Sequence, residues 1–218
     1  LAQDIISGDT ALAVSPDDTD EFLVSNSGVL NRIDYSLIRP GLVKISAYNS
    51  ESDIGEIALT LSTDYSSFLL VINQIHPATD GTYLRAKFSI DGGSSYVESS
   101  NSYSSTTQGV AGSSGDYTAH DSKAAGYMKL NSGSMGNADD EGGAFIINIM
   151  PKIDSVSSRR GNWMSWSGQR FDTGESYRSM TGTGHLWSSS DTRANAFKVY
   201  FNSGDISSAS YTFYGRLA

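Results

Sequence analysis

The chain has 218 residues, among them 38 Ser and 22 Gly but no Cys, so a disulfide-stapled scaffold, a thiol nucleophile and a thiolate metal site are excluded. Fifteen Lys and Arg against 24 Asp and Glu leave a net charge of -9, which repels phosphate backbones and argues against nucleic acid and anionic membranes as partners. The longest apolar run, Phe68 to Ile72, is far short of the roughly 20 residues of a membrane helix, so no membrane insertion is expected.

Charged residues make up 18% of the chain, below the usual quarter, while Ser, Gly, Thr, Asn and Tyr are abundant, the composition of short strands joined by many turns. Leu1 to Ile6 shows no basic stretch followed by an apolar one, so no signal peptide is expected. Residues 1–41 read as a first unit. The acidic run Asp17 to Glu21 leads into Phe22-Leu23-Val24, a turn at Ser25 to Gly28, and Val29 to Ile33. This predicts a small β-hairpin. A two-stranded hairpin is marginal alone in water, so this one is expected to lean on another chain or on the main domain, with Phe22, Val24, Leu30 and Ile33 as its docking and oligomerisation positions. Weak helical spacing near Leu30 to Ile38 leaves one helical turn at Tyr35 to Ile38, stopped before Pro40, and Pro40-Gly41 marks the boundary.

Residues 42–218 read as a second unit. Strand patterns fall near Val43 to Ala47, Glu56 to Ser62, Phe68 to Ile75, Tyr83 to Ile90, Tyr127 to Leu130, Ala144 to Ile149, Asn162 to Ser167, Tyr177 to Thr181, Phe197 to Phe201 and Tyr211 to Tyr214. So many short strands imply two packed sheets, an all-β, antiparallel, jelly-roll-like β-sandwich. The alternation is cleanest where Phe197, Val199 and Phe201 face one way and Lys198, Tyr200 and Asn202 the other. In His76 to Gly81, Pro77 pre-sets φ and Gly81 can take positive φ, so neighbouring strands can reverse there; Asp91-Gly92-Gly93 ends the next strand. Ser94 to Ser122, rich in Ser, Thr and Gly, reads as a long surface loop carrying Tyr96, Tyr103 and Tyr117.

Catalytic and metal signals are sparse. His76, His120 and His185 have no second ligand at metal spacing, and no Gly-x-Ser-x-Gly elbow precedes a helical pattern. His76 in its turn has a local structural reading. Asp139-Asp140-Glu141 lacks the spaced oxygens of a calcium loop and reads as a solvated acidic turn. No catalytic residues, cofactor or metal are expected. The aromatic residues are more informative. Trp163 and Trp166, three apart, point to opposite faces of a strand, so at least one can lie outside the core. Trp163, Trp166, Trp187, Tyr103 and Tyr117 are the candidates for stacking on sugars or anchoring an interface; the alternative is that Trp163 and Trp166 both fill a sandwich core or subunit interface.

Two segments carry a resemblance. Val71 to Gly81, continuing through Leu84 to Phe88 and Asp91 to Tyr96, is similar to a segment of tailed-bacteriophage structural proteins, fibre proteins above all. Phe197 to Ser208 followed by Tyr211 to Gly215 resembles the C-terminal hairpin of the same proteins, and Thr19 to Asp34 resembles short β units of phage fibre shafts. The resemblance implies a non-enzymatic virion component, a tail or head fibre or capsid decoration. It is expected to form homotrimers with other virion proteins as partners, and to reach a host-surface glycan or receptor. The place implied is the extracellular particle, assembled in the host cytoplasm. The chain's own composition leaves open a carbohydrate-binding module and a depolymerase acting on host polysaccharide through paired carboxylates.

Overall fold

The computed structural model describes residues 21–26, 29–34, 41–112, 115, 117–152, 161–171, 177–187 and 192–217. No helix occurs among the described residues. The chain divides into two units, Leu1–Gly41 and Leu42–Ala218. In the first, β1 (Glu21–Asn26) and β2 (Val29–Asp34) pair antiparallel, from Glu21 opposite Asp34 to Asn26 opposite Val29. Of the four docking positions, Phe22 and Ile33 are cross-strand partners, whereas Val24 pairs with Asn31 and Leu30 with Ser25. The helical spacing that starts at Leu30 does not form a helix there: Val29–Asp34 pairs along its whole length with β1 as a strand. The helical turn expected at Tyr35 to Ile38 lies outside the described residues.

The second unit is an antiparallel β-sandwich, the architecture expected from the strand rhythm. Its strands are β3 (Leu42–Ser50), β4 (Ile57–Thr60), β5 (Tyr65–Pro77), β6 (Leu84–Ser89), β7 (Tyr103–Ala111), β8 (Tyr117–Ala125), β9 (Met128–Lys129), β10 (Gly142–Met150), β11 (Asn162–Phe171), β12 (Tyr177–Leu186), β13 (Ala196–Phe201) and β14 (Ile206–Leu217). Eight strands form a large sheet in the order β3-β14-β5-β10-β11-β12-β7-β8, and four form a small one, β4-β13-β6-β9. The core lies between them. Phe68 and Phe213 of the large sheet stack with centroids 5.4 Å apart, and Phe88 and Phe197 of the small sheet meet at 5.3 Å. Phe197, Val199 and Phe201 are buried while Lys198 and Tyr200 face outward, as their alternation requires. Burying each such apolar side chain contributes about 1.5–3 kcal/mol.

Three features differ from the sequence expectation. First, much of the stretch Ser94 to Ser122 is not loop but the paired strands β7 and β8. Burial along β7 alternates strictly: Tyr103, Ser105, Thr107, Gly109 and Ala111 point inward. Most of these are small because large neighbours lie across this part of the sheet; a Cβ on the adjacent Gly184 would meet Met128 Sδ at 2.7 Å and Ser105 Cβ at 3.2 Å. The alternation is one of side-chain size, which a hydropathy pattern does not register. Second, Gly81 does take φ +70°, yet β5 and β6 on either side belong to different sheets, so the turn carries the chain across the sandwich. Third, β13 and β14 are not a hairpin: the turn at Gly204, also at φ +70°, passes the chain from the small sheet to the large one, where β14 inserts between β3 and β5.

Candidate binding face

The two tryptophans of β11 have opposite fates. Trp166 is 3% exposed and its Nε1 donates to the Leu130 carbonyl at 2.8 Å, so it belongs to the core. Trp163 is 45% exposed on the outer face of the large sheet. Register puts it between Met150 of β10 and His185 of β12. The Trp163 and His185 rings stack with centroids 4.5 Å apart and planes 21° from parallel, and Trp187 meets His185 edge-on at 5.5 Å. The Trp187 N–H donates to the Ser102 carbonyl at 2.6 Å, which ties the residue after β12 to the segment before β7. Burial pushes the His185 imidazole below its ordinary 6.5. It is therefore neutral at pH 7, presenting one ring donor and one acceptor beside two indole faces.

The remaining candidates do not join this row. Tyr103 is buried, not presented on a loop: its hydroxyl accepts from the Phe88 N–H at 2.8 Å and so bolts the large sheet to the small one, and burial raises its pKa. Tyr117 is exposed at the edge strand β8, opposite Val110. Val110 in turn faces Ser179, six residues along β12 from His185, about 20 Å at the rise of a strand. A second ring pair, Phe171 and Tyr177 with centroids 5.7 Å apart, stands at the far end of β11 and β12. Between the two ring groups the face carries short polar side chains, Ser165, Ser167, Thr181 and Thr183, and a shallow depression of about 410 Å³ bordered by Val71, Ile146, Ser167 and Thr181.

Two of the other titratable groups singled out in the sequence, His76 and Glu141, have local partners. His76 Nε2 donates to the Ala138 carbonyl at 2.7 Å and its Nδ1 lies 2.9 Å from Ser207 Oγ. Glu141 accepts from the Ala138 N–H at 2.8 Å, while Asp139 and Asp140 are exposed. The side chain of His120 lies outside the described residues. Among the described residues no three His, Asp or Glu side chains converge as a metal-holding group.

No protein-family model, curated protein or solved structure matches the chain. Sequence reasoning missed Met150 and His185 as members of the row. The pattern His185-x-Trp187 places both on one side of a strand, but their neighbourhood with Trp163 depends on the register between β11 and β12.

Proposed function

We propose that the chain is a non-enzymatic structural and attachment protein of a tailed-phage particle, a tail or head fibre or shell decoration, whose sandwich holds a host-surface glycan on Trp163, His185 and Trp187. The observation that carries the glycan contact is the exposed ring row itself: two indoles and a neutral imidazole set on neighbouring strands. Flat rings offer the apolar face of a pyranose a stacking surface, and rigid strands place them at low ordering cost. The particle role is supported by the resemblance of Val71 to Tyr96 and Phe197 to Gly215 to phage fibre proteins. The β1–β2 ribbon, marginal by itself, fits the part of a docking or trimerising element.

Glycan-array binding by the full chain, compared with Trp163→Ala and Trp187→Ala, tests the glycan contact. The expected result is saturable binding that either substitution abolishes while the unfolding transition is retained. Solution mass and immunodetection in purified virions test the particle role, with a trimer present in particles expected. A blank array overturns the glycan contact, and a monomer absent from particles overturns the particle role.

A further inference from the structure

The outer face of the small sheet carries a different chemistry. Arg85 and Lys87 alternate along β6, Lys198 and Tyr200 along β13, and Lys129 stands on β9, all turned away from the buried Leu84, Ala86, Val199, Phe201 and Met128. Register sets Lys87 opposite Lys198, and Arg85 between Tyr200 and Lys129. Four of the chain's 15 Lys and Arg thus share one face of a protein whose net charge is -9. Each sits over a tyrosine ring. The Arg85 guanidinium is 3.7 Å from the Tyr127 centroid and Lys129 Nζ 3.7 Å from that of Tyr83; Lys198 lies 4.2 Å from Tyr96 and Lys87 5.3 Å from Tyr200.

Counter-charge divides these four cations in two. Lys198 Nζ is 2.8 Å from Glu56 Oε2, and Lys87 Nζ is 3.3 Å from Glu98 Oε1. Among the described residues, neither Arg85 nor Lys129 has a carboxylate within ion-pair distance. These two are cross-strand neighbours, an arrangement in which like charges repel. The Arg85 Nε is in addition buried without a hydrogen-bond partner. Burial, then Arg85 and Arg170, hold the Lys129 ammonium down at about 8.

We propose that Arg85 and Lys129 form a second binding site, for an acidic saccharide whose carboxylate or sulfate lies against the two cations while its sugar ring meets the parts of Tyr83 and Tyr127 that those cations leave uncovered. The anion supplies the missing counter-charge, and a guanidinium fork suits a planar or tetrahedral oxyanion. Two cations match one anionic group, not the run of phosphates that a nucleic acid presents. The site lies on the sheet that does not carry Trp163 and stands whether or not the ring row binds glycan.

Calorimetric titration of the full chain with a hexuronic acid tetrasaccharide, its methyl ester and inorganic sulfate tests the proposal. The acid is expected to bind saturably, more weakly as salt is added, and the uncharged ester not at all. Arg85→Gln and Lys129→Gln should each weaken the acid about tenfold or more, with melting curves run alongside, while Trp163→Ala leaves its affinity unchanged. Binding of the acid but not the ester shows that the charge is read, and unchanged affinity in both folded variants would place the binding elsewhere and overturn the proposal. Absence of saturable binding by the acid, equal binding of the ester, or sulfate binding as tightly as the saccharide would overturn the proposal.

Discussion

Trp163 and His185 face each other across β11 and β12 with ring centroids 4.5 Å apart and planes 21° from parallel, outside the sandwich, while Trp166 three residues further on is sealed inside it. One strand therefore spends its two indoles on opposite tasks. The consequences of removing them differ accordingly.

Trp166→Ala deletes a buried ring and leaves the Leu130 carbonyl without its donor, at a cost of about 3–5 kcal/mol. Trp163→Ala and Trp187→Ala lose partly solvated ring contacts worth about 1 kcal/mol. Urea unfolding of the three variants measures this order. A Trp163→Ala loss as large as that of Trp166→Ala would contradict the assignment of Trp163 to a solvent-facing row.

Gly182 lies directly over the Trp166 ring: a Cβ there would stand 2.3 Å from Trp166 Cζ2 and 2.5 Å from the Thr106 carbonyl oxygen. Gly182→Ala is expected to destabilise by about 1–3 kcal/mol through overpacking. The same unfolding assay reads it, and a neutral or stabilising result would mean that β11 and β12 can part without cost.

His185 should titrate below 6.5 in the folded protein, because burial disfavours its charged form. The unfolded chain then takes up the proton first as pH falls through 6.5, so His185 subtracts stability from there down to the folded midpoint and no more below it. NMR titration of the imidazole gives the midpoint directly. Trp163→Ala, by opening one ring face to water, should move it back toward 6.5, and a wild-type midpoint at or above 6.5 would count against the stacked arrangement.

Lys129 is held at about 8 against an ordinary 10.5 by burial first, then by Arg85 and Arg170; Tyr83 lies under its ammonium. Its folded pKa is the lower one, so between about 8 and 10.5 the unfolded chain holds a proton that the folded chain has released, and its contribution to stability rises with pH across that window. Arg85→Gln removes the nearest cation on β6 and should raise the Lys129 midpoint. Titration of the Lys129 side chain by NMR checks both directions, and a midpoint near 10.5 in the wild type would refute the crowding of charge on this face.

The strands with hydropathic alternation were legible in the sequence: Phe197-x-Val199-x-Phe201 buries as read, and Gly81 takes the positive φ that its turn demands. β7 and β8 were not, since Ser105, Thr107 and Gly109 point inward yet look like loop residues until Met128 and Trp166 are laid across that part of the sheet. The split between Trp163 and Trp166 followed from a period of two, but not which of them faced the core.

By itself, then, the sequence determined an all-β, cysteine-free, acidic chain with a hairpin ahead of a sandwich, because composition, turn residues and period-two patterns are local properties of the backbone. Only the tertiary structure decided which strands share a sheet, and with it every functional neighbourhood. Trp163 meets His185, and Arg85 meets Lys129, through registers between segments far apart in the chain. Such registers are set by packing across the whole core, which no local pattern encodes.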